Sequence, residues 1–242
     1  MSTARRIGVL TGAGISTDSG IPDFRGPQGV WTKNPTAELL TTYDAYLGDP
    51  EVRVRSWQAR RENPAWHAEP NAAHRALAEL EHAGREIGIV TQNVDGLHQK
   101  AGSAPERVVE IHGTMFGVEC VECPYTTTMA AALERVAAGE PDPPCPRCGG
   151  VLKAATIMFG QQMNRRTVAA ALAIAERSEL FLAIGSSLQV EPAASLCAVA
   201  VDAGAELVIV NAEPTPYDRL AAEVIREPIG TAVPALVRSL LS

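Results

Sequence analysis

The sequence predicts an α/β fold: a doubly wound parallel sheet carrying two inserts, one helical and one metal-bound. Three observations point there. Short apolar runs rich in β-formers recur along the chain, Ala-rich segments with helical spacing lie between several of them, and two stretches of different composition break the alternation. Short, nearly continuous apolar runs suit strands buried on both faces. Their alternation with helices suits the Rossmann-like arrangement of a sheet covered on both sides.

The elements follow in order. Ile7–Leu10 is the first strand. Pro27 to Pro70 carries Trp31, Tyr43, Tyr46, Trp57 and Trp66, with helical stretches and no strand signal. Ala72–His82 puts Ala73, Ala76, Leu77 and Leu80 at helical spacing. Ile87–Thr91 and Val108–Ile111 are strands, and Phe116 to Leu152 is rich in Cys, Pro and Gly. Thr167–Glu176 is helical, Leu180–Ile184 a strand, Pro192–Asp202 a helix with Pro192 near its start, Leu207–Val210 a strand and Ala232–Leu241 a closing helix. The expected organisation is one domain, 1–242. A sheet core (about 1–26, 71–115 and 153–242) surrounds a helical insert (about 27–70) and a metal module (about 116–152).

With 242 residues, 46% hydrophobic and 20% charged, the chain can bury a core without disulfides and is not disordered. A formal net charge of −7 argues against nonspecific nucleic-acid binding and leaves room for a basic peptide partner. The longest strictly apolar run, Val168–Ala175, falls far short of the roughly 18 residues of a membrane span. Arg5-Arg6 and the apolar run behind it start like a signal peptide, but Thr11 to Gly14 and then Asp18 cut it short. The expectation is a cytoplasmic protein, away from membranes, monomeric and without regulatory extensions.

Cys120-x-x-Cys123 and Cys145-x-x-Cys148 form two knuckles, and Gly149-Gly150 allows a sharp turn after the second. Two such pairs complete the tetrahedron of a structural Zn²⁺. Disulfides do not suit a cytoplasmic chain. Four thiolates close the coordination shell, so the expected metal is structural, one per chain. Cys197 lies in an Ala-rich helix and reads as a small core residue.

Ile7–Leu10 runs into Thr11-Gly12-Ala13-Gly14-Ile15-Ser16, a strand turning through glycines toward a helix, where backbone N–H groups can meet a pyrophosphate. Thr17 stands where a third glycine would complete the dinucleotide fingerprint, so a tight turn without ligand stays open. Gly20-Ile-Pro-Asp-Phe-Arg-Gly26 packs an acid, an aromatic and a guanidinium between glycines, as a loop closing over a ligand would; an ordinary turn with an Asp–Arg pair is the alternative. Gln92-Asn93-Val94-Asp95 follows a buried strand, at the end where such sheets bind ligands, and offers partners for a carboxamide. His112 ends the next strand and is either a general base or a structural histidine.

Taken together the chain resembles the sirtuin family of NAD-dependent protein deacylases, over nearly its whole length and in the family's order. The matching residues are Gly12 to Ser16, Gly20 to Arg25, Thr91 to His98, His112-Gly113, both CxxC pairs, Phe159-Gly160, Gly185-Ser186-Ser187-Leu188 with Val190 and Pro192, and Val210 to Glu213. The resemblance implies that Gly12, Ala13, Gly14 and Ser16 surround the NAD pyrophosphate, and that Asp23, Phe24, Arg25 and Trp31 belong to the loop over the nicotinamide ribose. It implies that Gln92 touches that ribose and that Asn93, Val94 and Asp95 hold the nicotinamide, with Asn93 also catalytic. Gly185, Ser186 and Ser187 would face phosphate and adenosine ribose, Asn211, Ala212 and Glu213 the ribose hydroxyls, and Ile229 the adenine. Thr156 to Gly160, with Ile157, Phe159 and Gly160 in contact, would pair with an extended acyl-lysine peptide as an added strand.

The implied reaction is attack of the acyl-lysine amide oxygen on C1′ of the nicotinamide ribose, loss of nicotinamide, and proton removal from a ribose hydroxyl by His112. The products are lysine, nicotinamide and O-acyl-ADP-ribose. Deacetylation is the expected activity. Two departures bear on substrate choice. Gln161 replaces a common Glu, and Trp57-x-x-Arg60 stands where succinyl- and malonyl-removing members carry Tyr-x-x-Arg. Arg60 either holds an acyl carboxylate or lies on a solvated face, and Trp57 either lines the acyl pocket or is core. The rival functions are mono-ADP-ribosyl transfer and a non-enzymatic NAD or ADP-ribose sensor.

Overall fold

The computed structural model describes residues 4–24, 26, 29–34 and 39–242. The chain begins with β1 (Arg6–Thr11), passes through a 3₁₀ segment (Ala13–Ser19) and reaches α1 (Val30–Lys33), α2 (Tyr43–Gly48), α3 (Pro50–Arg61) and α4 (Ala72–His82). It continues with β2 (Glu86–Thr91), α5 (Leu97–Lys100), β3 (Val108–Glu110), β4 (Gly113–Cys120), β5 (Thr126–Thr128), α6 (Met129–Ala137) and β6 (Leu152–Thr156). The last third holds α7 (Arg165–Arg177), β7 (Leu180–Ile184), α8 (Leu196–Asp202), β8 (Glu206–Val210), β9 (Glu223–Ile225) and α9 (Ile229–Leu241).

Six strands form one parallel sheet in the order β3-β2-β1-β7-β8-β9. The chain lays β2 and β3 on one side of β1, then returns to lay β7, β8 and β9 on the other. The strand order therefore reverses between β1 and β7, and the carboxyl ends of those two strands open a crevice. Each face of the sheet carries its own core. Ile7, Val9, Ile87, Ile89, Leu182 and Val208 point toward α4 and α9. Leu10, Val90, Phe181, Ala183 and Ile209 point toward α7 and α8. This is the period-two alternation of a strand buried on both sides.

Helix ends are set by local chemistry. Asn71 caps α4, accepting from Ala73 and His74, while His74 Nδ1 accepts from the Asn71 backbone N–H. Asp49 caps α3 just before Pro50, and Asn164 caps α7.

The smaller sheet is antiparallel, β5-β4-β6. With α6 it forms a third core of Val118, Met129, Ala132, Leu152 and Ala154, completed by Trp57 from α3. The helical segment and the cysteine module thus share one core. Tyr46 Oη donates to Leu152 O, and Arg53 Nε donates to Asp142 at 2.7 Å.

Three expectations need correction. The helix expected from Pro192 begins at Leu196, because 191–195 form a turn in which Ser195 N–H donates to the Glu191 carboxylate and Ser195 Oγ to Pro192 O. The closing helix starts at Ile229 and runs through Pro234, earlier than expected. The strand expected over 156–160 stops at Thr156. Phe159 leaves β6 to bond Thr41 and Tyr43, its N–H donating to Thr41 O at 2.8 Å and its carbonyl accepting from Tyr43 N–H at 2.9 Å. β9 was not anticipated, since three residues give too short a signal.

Candidate active site

The crevice is built first by glycines. Gly12 N–H donates to Ile184 O at 3.0 Å and Gly14 N–H to Gly185 O at 2.8 Å, so the loops after β1 and β7 lie directly against each other. A Cβ at Gly12 would stand 2.7 Å from Gly185 O, and one at Gly14 would stand 2.9 Å from Gly185 Cα. Gly185 has φ 63°, and a Cβ there would meet Ile15 N at 2.4 Å. No larger residue fits this seam without backbone movement.

Polar side chains from the loop after β2 and from the 3₁₀ segment line the same end. Asn93 Nδ2 donates to Gly12 O and to Ser16 Oγ, both at 3.1 Å. Ser16 Oγ donates to Asp95 Oδ2 at 2.7 Å, and Leu97 N–H donates to Asp95 Oδ1 at 3.0 Å. Burial raises the Asp95 pKa, opposed by these two bonds. Gln92 Nε2 donates to Ser186 Oγ at 2.8 Å, spanning the crevice from β2 to the loop after β7. Val94 O accepts from Met115 N–H.

His112 is half-buried at the entrance to β4. Its Nδ1 lies 3.0 Å from Gln92 O, which can only accept. Nδ1 therefore carries the proton in the neutral ring and Nε2 keeps its lone pair. Burial pulls the His112 pKa below the ordinary histidine value, and the bond to Gln92 O opposes this. The ring is thus poised as a neutral proton acceptor.

Beneath these groups lies a polar column that sequence reasoning missed. Thr11 Oγ1 donates to Thr91 Oγ1 at 2.8 Å, and Thr91 Oγ1 also accepts from Asn93 N–H at 3.1 Å. Thr11 Oγ1 then accepts from His98 Nε2 at 2.9 Å. His98 packs edge-on against His74, ring centroids 5.0 Å apart. Asn71 Nδ2 adds a bond to Ile15 O at 2.7 Å. Its one local trace is a threonine at the end of each of two apolar strands, which come into register as Thr11↔Thr91 only in the fold.

A row of aromatic rings stands beside the turn between β3 and β4 that carries His112. Phe24 meets Trp31 at 4.8 Å and Trp31 meets Phe159 at 5.5 Å. Ile157 N–H donates to His112 O at 2.8 Å, which seats the 157–160 segment next to the histidine. Asp23 Oδ1 accepts from Gly26 N–H at the turn of this loop. Arg25 lies outside the described residues.

Asn211, Ala212 and Glu213 follow β8, two strands from β1. Ile229 is the first residue of α9, whose start adjoins the 3₁₀ segment through Asp18 and Gly230. Trp57 and Arg60 lie elsewhere. Trp57 is fully buried in the core shared with the cysteine module. Arg60 is not on a fully solvated face: the residue is partly exposed but its Nε is buried, and burial lowers its pKa against the influence of Tyr46.

The four cysteine sulfurs lie within 4.8 Å of one another, Cys120 to Cys148 at 3.5 Å and Cys123 to Cys145 at 3.7 Å. These separations are far too long for disulfides. They match the edge of about 3.8 Å expected for four sulfurs at about 2.3 Å from one tetrahedral Zn²⁺. Glu122 N–H donates to Cys120 Sγ and Gly150 N–H to Cys148 Sγ, which favours thiolates. The residues therefore fit a closed zinc site.

Comparison with known proteins gives one answer. The profile of the Sir2 family matches residues 12–192. NAD-dependent protein deacetylase 2 of Streptomyces coelicolor is 58% identical over 234 residues, covering 97% of this chain and 97% of that protein. NAD-dependent protein deacetylase 1 of Pyrobaculum aerophilum is 42% identical over 94% of this chain and 87% of its own. A solved Sir2 structure with a deacetylated peptide and 3′-O-acetyl ADP-ribose superposes with a TM-score of 0.88 at 34% identity, covering 98% of this chain and 94% of that one.

Proposed function

The chain belongs to the Sir2 family, and from that premise we propose that it is an NAD-dependent protein-lysine deacetylase with His112 as general base. The observation that carries the reading is the bond from His112 Nδ1–H to Gln92 O, which leaves Nε2 free to take a proton at the crevice where Asn93, Asp95 and Ser16 converge. Bound NAD supplies the ribose carbon from which nicotinamide departs and to which the acyl oxygen attaches.

The chain's own residues orient and shield. Gly12 and Gly14, whose N–H groups are bonded across the seam, let the pyrophosphate approach the backbone closely at Ala13, with Ser186 and Ser187 on the facing loop. Asn93 Oδ1 and the Asp95 carboxylate offer acceptors to the NH₂ of a carboxamide, with the Asn93 amide N–H groups already held by Gly12 O and Ser16 and Ser16 fixing both residues. Gln92 sets the His112 ring through its carbonyl and meets Ser186 through its amide. Phe24, Trp31 and Phe159 offer an apolar face, still exposed at Phe24 and Phe159, that bound substrates would cover. Asn211 and Glu213 receive the adenosine ribose, with Ala212 between them and Ile229 beside the base. Arg25 and Val94 belong to the same NAD site. Cys120, Cys123, Cys145 and Cys148 hold one Zn²⁺ with no open position, so its role is structural.

The substrates are acyl-lysine-bearing proteins or peptides, bound along Ile157 to Gly160. Met158 N–H and Phe159 N–H are already bonded within the protein, so a peptide adds to this segment through other groups. Among the described residues no helix is long and apolar enough to cross a membrane. Five cysteines, none of them in a disulfide among the described residues, suit a reducing compartment. The protein is read as cytoplasmic and monomeric, without a nucleic-acid partner.

Trp57 Nε1 and Arg60 Nε are buried and have no hydrogen-bond partner among the described residues, but Trp57 belongs to the core shared with the cysteine module, so acetyl remains the first expected acyl group.

The test is incubation of the protein with NAD and acetyl-, succinyl- and long-acyl-lysine peptides, read by mass spectrometry. Deacylated peptide with matching O-acyl-ADP-ribose is expected, reduced by roughly 10²–10⁴ in His112→Ala. Modified protein without deacylated peptide would instead establish ADP-ribosyl transfer.

A further inference from the structure

We propose that Arg226 is a positioning residue for the adenosine end of the dinucleotide, acting through the loop that carries Asn211 and Glu213. The proposal rests on the assignment of those two residues to the ribose.

Arg226 stands one residue beyond β9, on the edge strand of the sheet. The adjoining backbone is already tied, since Asn211 N–H donates to Ile225 O at 3.1 Å. Arg226 Nη1 then donates to Asn211 O at 2.7 Å and to Glu213 O at 2.9 Å. Its Nη2 pairs with the Asp218 carboxylate, whose other oxygen accepts from Thr215 Oγ1 at 2.7 Å. Tyr217 N–H donates to Thr215 Oγ1 at 3.3 Å. One guanidinium therefore gathers the start, the middle and the end of the 211–218 loop.

The consequence for binding lies in what the loop presents. Asn211 Nδ2 is turned inward and donates to Glu213 O at 2.8 Å, which leaves Oδ1 as the outward group. Glu213 is exposed, and its carboxylate can only accept. The loop thus offers two acceptors, the complement of two vicinal hydroxyl donors. Without Arg226, the carbonyls of 211 and 213 lose the donor that holds them side by side, and the spacing of the two acceptors relaxes. A planar fork can meet two carbonyls and a carboxylate together, and an ammonium cannot do so in the same geometry. Arg226 and Asp218 are both partly exposed, so their ion pair by itself adds little to global stability.

The test measures steady-state deacylation and ADP-ribose binding by calorimetry for the wild type, Arg226→Met, Arg226→Lys and Asp218→Asn. For Arg226→Met the expected result is a rise in KM for NAD of about tenfold, kcat within about twofold, an unchanged KM for acyl peptide, and a matching loss of ADP-ribose affinity. Arg226→Lys should fall between wild type and Met, and Asp218→Asn should show a smaller change of the same sign. A folded Arg226→Met with unchanged KM for NAD, or one that loses only kcat or only melting temperature, overturns the proposal. If that variant does not fold, unchanged NAD affinity in both other variants overturns it. Wild-type protein that binds ADP-ribose but deacylates nothing would sink the deacetylase reading while the affinity series still decides on Arg226. Wild-type protein that binds no ADP-ribose would overturn both.

Discussion

At the seam between β1 and β7, Gly12 and Gly14 lie against Gly185, and loop N–H groups find carbonyls on the neighbouring strand. In the cysteine module four sulfurs converge in front of a small core that borrows Trp57 from α3. The seam has its shape from chain chemistry alone, so a dinucleotide meets a finished wall. The module closes on a small core shared with α3, and its shape is expected to depend on what the sulfurs bind. One protein thus contains a site organised before its ligand and a subdomain organised by one.

The largest test of that contrast is removal of the metal. Cys145→Ser, or chelation of the wild type, should abolish stoichiometric zinc and open 116–152 to proteolysis while amide protection along β1, β2 and β7 persists. Metal content with hydrogen exchange read by mass spectrometry would show this. A module that stays protected without zinc would erase the distinction. Next is Gly185→Ala, which forces a side chain into φ 63° and against Ile15 N. We expect a loss of about 2 kcal/mol in chemical denaturation and weaker NAD binding. An unchanged denaturation midpoint would show the seam to be looser than its contacts imply.

The effect smallest near neutral pH is that of acid, which acts on the column under the seam as well as on the zinc thiolates of the module. Burial pushes the His98 pKa down to about 3 and that of His74 to about 4. Both are neutral in the fold, while the unfolded chain takes up protons below about pH 6.5. The unfolded state binds more protons there, so stability is full above that pH and is lost as pH falls toward 4 and then 3. Thermal midpoints measured from pH 7 to pH 4 should decline, and His74→Gln should flatten part of the slope.

Much of this was legible in residues. The apolar runs at Ile7, Ile87, Leu180 and Leu207 became central strands because each is buried on both faces and needs no partner signal. The CxxC pairs announced themselves through spacing that only a metal rewards. Other features depended on contacts made at long range. Nothing local says that Phe159 will leave β6 for Thr41 and Tyr43, or that Arg226 will reach back to Asn211. Trp57 was read with two alternatives because a tryptophan on a helix serves core or pocket equally well, and only the position of the cysteine module decides. Thr11 and Thr91 passed unnoticed because their pairing exists only once the strands are in register.

The strand at the centre of the large sheet is also the first of its six to be synthesised. β1 gains β2 after the helical segment has been made, but its other edge waits for β7, more than two thirds of the chain later. On the ribosome the growing protein therefore holds a half-sheet whose open border is Ile7, Val9 and Leu10, an apolar edge of the kind that invites pairing with the wrong neighbour. Closing it requires a contact of very long sequence separation, which makes folding slow. The order that places a crevice beside β1 also makes the protein most vulnerable before it has a crevice to use.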